Sequence, residues 1–194
     1  MTAVPSDLPL LHVTSQTDWE AWLAQNHADA PGVWLQIAKK GQGVTSVSYA
    51  EAVEGGLCYG WIDGQKRAYN EQFYLQRFTP RRPNSIWSKV NVAKATALIE
   101  SGRMAPAGLA EVERAQANGR WQAAYAPQSA DEIPPELQAA LDAHPKAQAF
   151  FNQLDKTNRY AFCFRVQTAK KTETRRQRIA KFITMMENGE KIYP

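Results

Sequence analysis

Apolar residues in the N-terminal part of the chain follow two different patterns, and each pattern predicts a different secondary-structure element. Between residues 17 and 27 they recur at helical spacing behind a Ser or Thr cap, which predicts a first helix. The unbroken apolar run 33–38 predicts a strand. Ser48 and Glu51 then have the spacing of a capping box, which predicts a helix over residues 49–58.

The pattern changes along the rest of the chain. Residues 60–64 and the alternating run 71–78 predict two strands that pair antiparallel. From Ser88 onward the periodicity is helical almost throughout, apart from a polar, proline-bearing linker at 126–135. We therefore predict one α+β domain spanning 1–194. Its front part, 1–87, has a small antiparallel sheet covered by helices, and its mainly helical part is 88–194.

Composition agrees with a globular protein. Hydrophobic residues make up 44% of the 194 positions and charged residues 22%, which is enough for a core without metal or disulfide support. The two cysteines exclude a disulfide framework. No apolar run approaches the length of a membrane span, and residues 1–12 do not resemble a signal peptide. We expect a cytoplasmic protein with no membrane span.

A basic segment without any acidic residue, 72–99, is the strongest chemical signal. Aromatic residues are interleaved with its cations, and this combination suits an anionic partner, because guanidinium pairs with phosphate while a ring stacks on a base. The alternative is that the cations pair with distant acids and that Trp87 fills a joint between sheet and helix. The residues of this segment in the anion-binding hypothesis are Arg77, Arg81, Arg82, Trp87, Ser88, Lys89 and Asn91.

Further cations extend the same hypothesis. Ser88 and Asn91 mark a helix start, whose free N–H groups favour an anion, although plain capping explains them equally. Arg103 follows the next helix. Near the end of the chain Lys171, Arg175 and Arg178 share one helical face, which is either a solvated basic face or an addition to the first cluster.

The residues available for catalysis are few. Cys58 is the obvious nucleophile, but it falls at the C-terminal end of its predicted helix, where the dipole disfavours a thiolate, and a buried structural role is the alternative. Asp63 is either a site carboxylate or a turn former. The three histidines lie far apart and no phosphate-loop or dinucleotide motif occurs, so we expect no metal and no cofactor.

Four runs of sequence resemble the YdeI/OmpD-associated (bacteriocin-protection) family: 52–64, 78–91, 102–108 and 169–179. The resemblance implies a stress or bacteriocin-protection role. It implies no known reaction, so no catalytic residue carries over. We accordingly favour a binding module for an anionic ligand or nucleic acid over an enzyme. The alternatives are an enzyme with a site near Cys58 and Asp63, and a domain that binds a protein partner or dimerises.

Overall fold

A computed structural model describes residues 7–127 and 132–194 of the protein. Residues 1–6 and 128–131, on which parts of the predicted N-terminus and linker fall, lie outside the described residues. The elements in chain order are β1 (Leu10–Leu11), α1 (Gln16–Asn26), β2 (Val33–Ala38), α2 (Tyr49–Cys58), β3 (Trp61–Ala68), β4 (Phe73–Pro80), α3 (Lys89–Glu100), α4 (Pro106–Ala117), α5 (Pro135–Asp142), α6 (Pro145–Gln153), α7 (Lys156–Gln167) and α8 (Thr172–Glu187).

The chain divides into two compact units. The first unit holds the sheet, and its described residues are 7–87 and 91–123. The second unit is helical, and its described residues are 88–90, 124–127 and 132–194. The predicted α+β class is confirmed. That the whole chain behaves as one domain stays a prediction.

The sheet has four strands in the order β1-β2-β4-β3. β3 and β4 form the predicted antiparallel hairpin, and β2 pairs antiparallel with β4, with Val33 opposite Phe78. The prediction of a wholly antiparallel sheet was wrong, because β1 pairs parallel with β2 and makes the sheet mixed. A strand of two residues is too short to show an alternating pattern in the sequence.

Helix α2 begins and packs as the local sequence dictates. The capping box is present, with the Ser48 backbone N donating to Glu51 Oε2 at 2.8 Å. At Gly55 a Cβ would lie 2.7 Å from the ring of Trp19, and at Gly56 it would lie 3.4 Å from Phe78. The two glycines therefore let the helix approach the aromatic core closely.

Tryptophan side chains build the core of the first unit. Trp19 and Trp61 are almost fully buried, with ring centroids 6.2 Å apart in an edge-to-face arrangement, and Phe78 packs 5.5 Å from Trp19. Each indole N–H has an acceptor, since Trp19 Nε1 donates to the Ala52 carbonyl and Trp61 Nε1 to the His27 carbonyl. These two tryptophans therefore have a structural role, because they pack in the core of the first unit.

The second unit has its own apolar core between α5, α6, α7 and α8. Phe162 and Phe182 meet edge to face at 5.0 Å. The buried Asn158 side chain holds the end of the chain, because its carbonyl oxygen accepts from the backbone N of Ile192 and of Tyr193. Among the described residues no helix is both long and apolar enough to cross a membrane.

Candidate anion-binding site

The loop 81–88 after β4 is the frame of the site, and backbone hydrogen bonds fix its shape. The Arg81 backbone N donates to the Gly60 carbonyl at 2.9 Å, which ties the loop to the start of β3. The Arg82 backbone N donates to Ser85 Oγ at 2.9 Å, and the Ser85 backbone N donates back to the Arg82 carbonyl at 2.8 Å. This tight turn leaves the Arg82 side chain exposed.

The side chains of Arg81 and Trp87 stack on each other and pack against the loop 81–88. The Arg81 guanidinium lies 3.6 Å from the centre of the Trp87 ring and donates to the Ile86 carbonyl at 3.3 Å. Arg81 is only 5% exposed and Trp87 only 3%. Trp87 also packs edge to face against Trp121, with centroids 5.0 Å apart. Trp87 therefore orients Arg81 and has no exposed face on which a base can stack.

Two further arginines come from α4 and the turn that follows it. Arg114 lies in the last turn of α4. Arg120 donates from Nη2 to Asn84 Oδ1 at 2.6 Å, which links the turn after α4 to the loop 81–88. We call Arg81, Arg82, Arg114 and Arg120 the arginine cluster. All four line one shallow depression.

The charge of this depression is strongly unbalanced. Among the residues that the structure describes, its lining holds four arginines and one acid, Glu111, which pairs with Arg114. Ser85 and Asn118 add polar side chains to the wall. Within residues 7–127 and 132–194, Nε of Arg120 is buried and has no hydrogen-bond acceptor. The depression thus presents N–H donors and net positive charge, which is the chemistry that binds a phosphate or a carboxylate.

The other predicted cations of the first unit have acidic partners. Arg77 forms an ion pair with Asp7 at 3.0 Å. Arg103 contacts Glu20 at 2.9 Å and Glu54 at 3.4 Å, and Lys94 contacts Glu54 at 2.9 Å. We call Glu20, Glu54, Lys94 and Arg103 the ion-pair network. The hydrogen bond from Lys94 lowers the pKa of Glu54 against the opposing effect of burial. Asn91, in the first turn of α3, is half-buried.

The environment of Cys58 favours the neutral thiol. Cys58 is buried at the end of α2, and burial raises its pKa to about 11, with the Glu20 carboxylate adding to the effect. Asp63 accepts a hydrogen bond from the Tyr49 hydroxyl at 2.6 Å. Arg103 acts to lower the pKa of Cys58, but burial and the carboxylates of Glu20 and Glu54 outweigh it. In the part of the chain that the structure describes, no group of His, Cys, Asp and Glu side chains is placed to hold a metal ion.

The remaining predicted residues belong to the second unit. Ser88 forms a β-bridge with Tyr125, and Lys89 forms an ion pair with Glu132 at 3.1 Å. Arg175 contacts Glu136 at 2.8 Å, and Arg178 donates to the Arg165 carbonyl. Lys171 is exposed at the N-terminus of α8.

Sequence reasoning missed Arg114 and Arg120. Both lie beyond the acid-free segment, and each has an ordinary helical or turn context in the sequence. Their approach to residues 81–88 depends on how α4 packs against the sheet. One local signal existed, since the turn Asn118-Gly119-Arg120 presents its arginine directly after a helix stop.

Fold and site together define an α+β protein with an arginine-rich depression on its sheet-bearing unit. The chain belongs to the family described as Domain of unknown function (DUF8412), whose model matches residues 11–111. Residues 132–189 match the model of the family described as Bacteriocin-protection, YdeI or OmpD-Associated. No curated protein and no solved structure matches the chain. The family recognised from sequence is confirmed, although only the run 169–179 of the four lies inside the second match.

Proposed function

We propose that the first unit is a binding module for a phosphate-type oxyanion, which it holds in the arginine cluster. The observation that supports this proposal is the gathering of four arginines from two separate segments around one depression, whose described lining contains a single acid. Arginines gathered in this way make the local potential positive, which attracts an anion. Elsewhere in the same unit, Arg77 and Arg103 each have an acidic partner.

The geometry favours recognition of an anionic group over recognition of a base. The planar guanidinium groups of Arg82 and Arg120 offer paired N–H donors, which match the oxygens of a phosphate or a carboxylate. The aromatic residues of the basic segment 72–99 have other roles. Phe78 is in the core, Trp87 lies under Arg81, and the Tyr74 ring carries the Lys66 ammonium at 4.1 Å.

The family match supports a proposal about the biological setting. The family whose model matches residues 132–189 is described as Bacteriocin-protection, YdeI or OmpD-Associated. We propose that anion binding serves a stress or protection role of this kind in the present protein. A cytoplasmic location stays a prediction.

The proposal is tested by titrating the pure protein with orthophosphate and pyrophosphate in a calorimeter. In parallel, labelled single-stranded DNA, duplex DNA and RNA are titrated by fluorescence anisotropy at about 50 and 200 mM salt. The slope of log affinity against log salt is roughly −0.7 to −0.9 per phosphate contact. We expect phosphate and pyrophosphate to bind. A nucleic acid is the natural ligand only if it binds more tightly than pyrophosphate, with a slope of several units.

A matched pair of variants locates the site. Arg82→Gln removes an exposed cation of the arginine cluster, and we expect about tenfold weaker phosphate binding, since a hydrogen bond to a charged group contributes roughly 1.5 kcal/mol or more. Arg176→Gln removes an exposed arginine from α8 in the second unit and should leave the affinity unchanged. Equal affinities in the two variants, or no binding of any anion by the wild type at low salt, would refute the proposal.

A further inference from the structure

Glu111 is the acid inside the depression, and its position is closely determined. It lies in α4 one turn before Arg114 and forms an ion pair with it. Its side chain is 20% exposed, against 41% for Arg114. A Cβ on Gly60 would lie 2.8 Å from Cγ of Glu111, so the glycine makes room for the stem of this side chain. Gly60 has a φ of 74°, a conformation that also favours glycine.

Glu111 and a bound anion would compete for the guanidinium group of Arg114. A carboxylate and a phosphate oxygen accept the same guanidinium N–H groups, so an incoming anion must displace Glu111 from Arg114 or bind without that arginine. The carboxylate also repels any anion in the depression through its charge. Both effects weaken binding in the wild type.

We infer that Glu111 is a positioning residue that acts through Arg114 as a built-in competitor and sets the affinity of the site for oxyanions. This inference rests on the proposed function, because it needs the arginine cluster to be a binding site. It deepens that proposal by assigning opposite roles to two side chains on one helix. Neutralising Glu111 should tighten binding, which is the reverse of what structural damage does.

The chain supplies a matched control on the same helix. Glu113 lies two residues further along α4 and is exposed. It does not line the depression. Glu111→Gln and Glu113→Gln therefore make the same change in net charge, and only the first acts on Arg114. Glu111→Asp keeps the charge at the same position and serves as the conservative variant.

The experiment is a calorimetric titration of the full chain with orthophosphate at fixed pH and ionic strength, for the wild type and all three variants. We expect Glu111→Gln to bind about 3- to 10-fold more tightly than the wild type, a size typical of one charge a few ångströms away in a partly solvated site. Glu113→Gln should remain within about twofold of the wild type. Glu111→Asp should bind orthophosphate with an affinity close to that of the wild type. Thermal melting of each variant confirms that it is folded.

The outcomes separate this inference from the proposed function. If the wild type binds phosphate and Glu111→Gln binds no better than Glu113→Gln, the inference is overturned and the binding function stands. If only Glu111→Gln binds, the competition is real, and the proposed function of the wild-type protein fails. If neither the wild type nor Glu111→Gln binds phosphate, both the inference about Glu111 and the proposed function fail.

Discussion

Two arginine-containing regions of the first unit differ in how their charges are balanced. In the ion-pair network the cations Lys94 and Arg103 face the acids Glu20 and Glu54. In the arginine cluster, four cations line a depression that contains one acid among the described residues, Glu111. Both regions come from the same kinds of residue on helices and loops. We therefore base the proposed site on how many acids the fold brings to a set of basic residues, and not on the number of basic residues in a segment.

Removing the support of the arginine cluster should have the largest effect. Trp87→Ala deletes a buried ring that packs against Arg81 and Trp121, and we expect a loss of about 3–5 kcal/mol in the free energy of unfolding. Ile86→Ala, at a neighbouring position that is 38% exposed, should cost less than about 1 kcal/mol. Urea unfolding followed by circular dichroism measures both. A Trp87→Ala protein of wild-type stability would contradict the packing role assigned to Trp87.

The second prediction concerns the reactivity of the Cys58 thiol, which lies close to the ion-pair network. The pKa of Cys58 is raised from 9.0 to about 11, so at pH 8 its thiolate fraction is roughly a hundredfold lower than that of an ordinary thiol. In a Cys163→Ala background, iodoacetamide should alkylate the native protein at least about 100-fold more slowly than the urea-unfolded chain. Rapid native alkylation with an apparent pKa below 8 would support the enzyme hypothesis for Cys58 and Asp63.

Breaking the ion-pair network should have the smallest effect, and it should change stability without changing binding. Arg103→Gln should lower the free energy of unfolding by about 0.5–1 kcal/mol at pH 7, a discounted figure because Arg103 is 40% exposed. The folded-state pKa of Glu54 lies below its ordinary value of 4.5, so its contribution is present above that pH and is lost as the pH falls through the folded pKa. The difference between wild type and variant should therefore shrink below about pH 4.5. A difference that grows in acid would contradict this assignment.

The local sequence carried most of the information about the first unit's elements. The bounds of β2, the capping box of α2 and the hairpin of β3 and β4 agree with the predictions, because apolar periodicity and caps are local signals. The parallel strand β1 is held by pairing with β2 and has too few residues to leave a pattern. Its existence depends on tertiary contacts.

The candidate site was only partly accessible to sequence reasoning. Arg81, Arg82 and Trp87 were proposed together and line the same depression, since they share one short loop. Arg114 and Arg120 were missed because α4 brings them from about 30 residues away. Arg103 was included because of its charge alone, and its two carboxylate partners come from α1 and α2. Pairing between distant charges is the information that a single sequence lacks.

We propose that the arginine cluster binds an oxyanion and that the ion-pair network does not. The most direct measurement is the orthophosphate affinity of Arg82→Gln/Arg120→Gln beside that of Arg103→Gln/Lys94→Gln, with the same loss of charge in both proteins. We expect the first double variant to lose at least about 30-fold in affinity and the second to stay within about twofold of the wild type. Equal losses in the two proteins would show that only net charge matters, and would contradict a defined site.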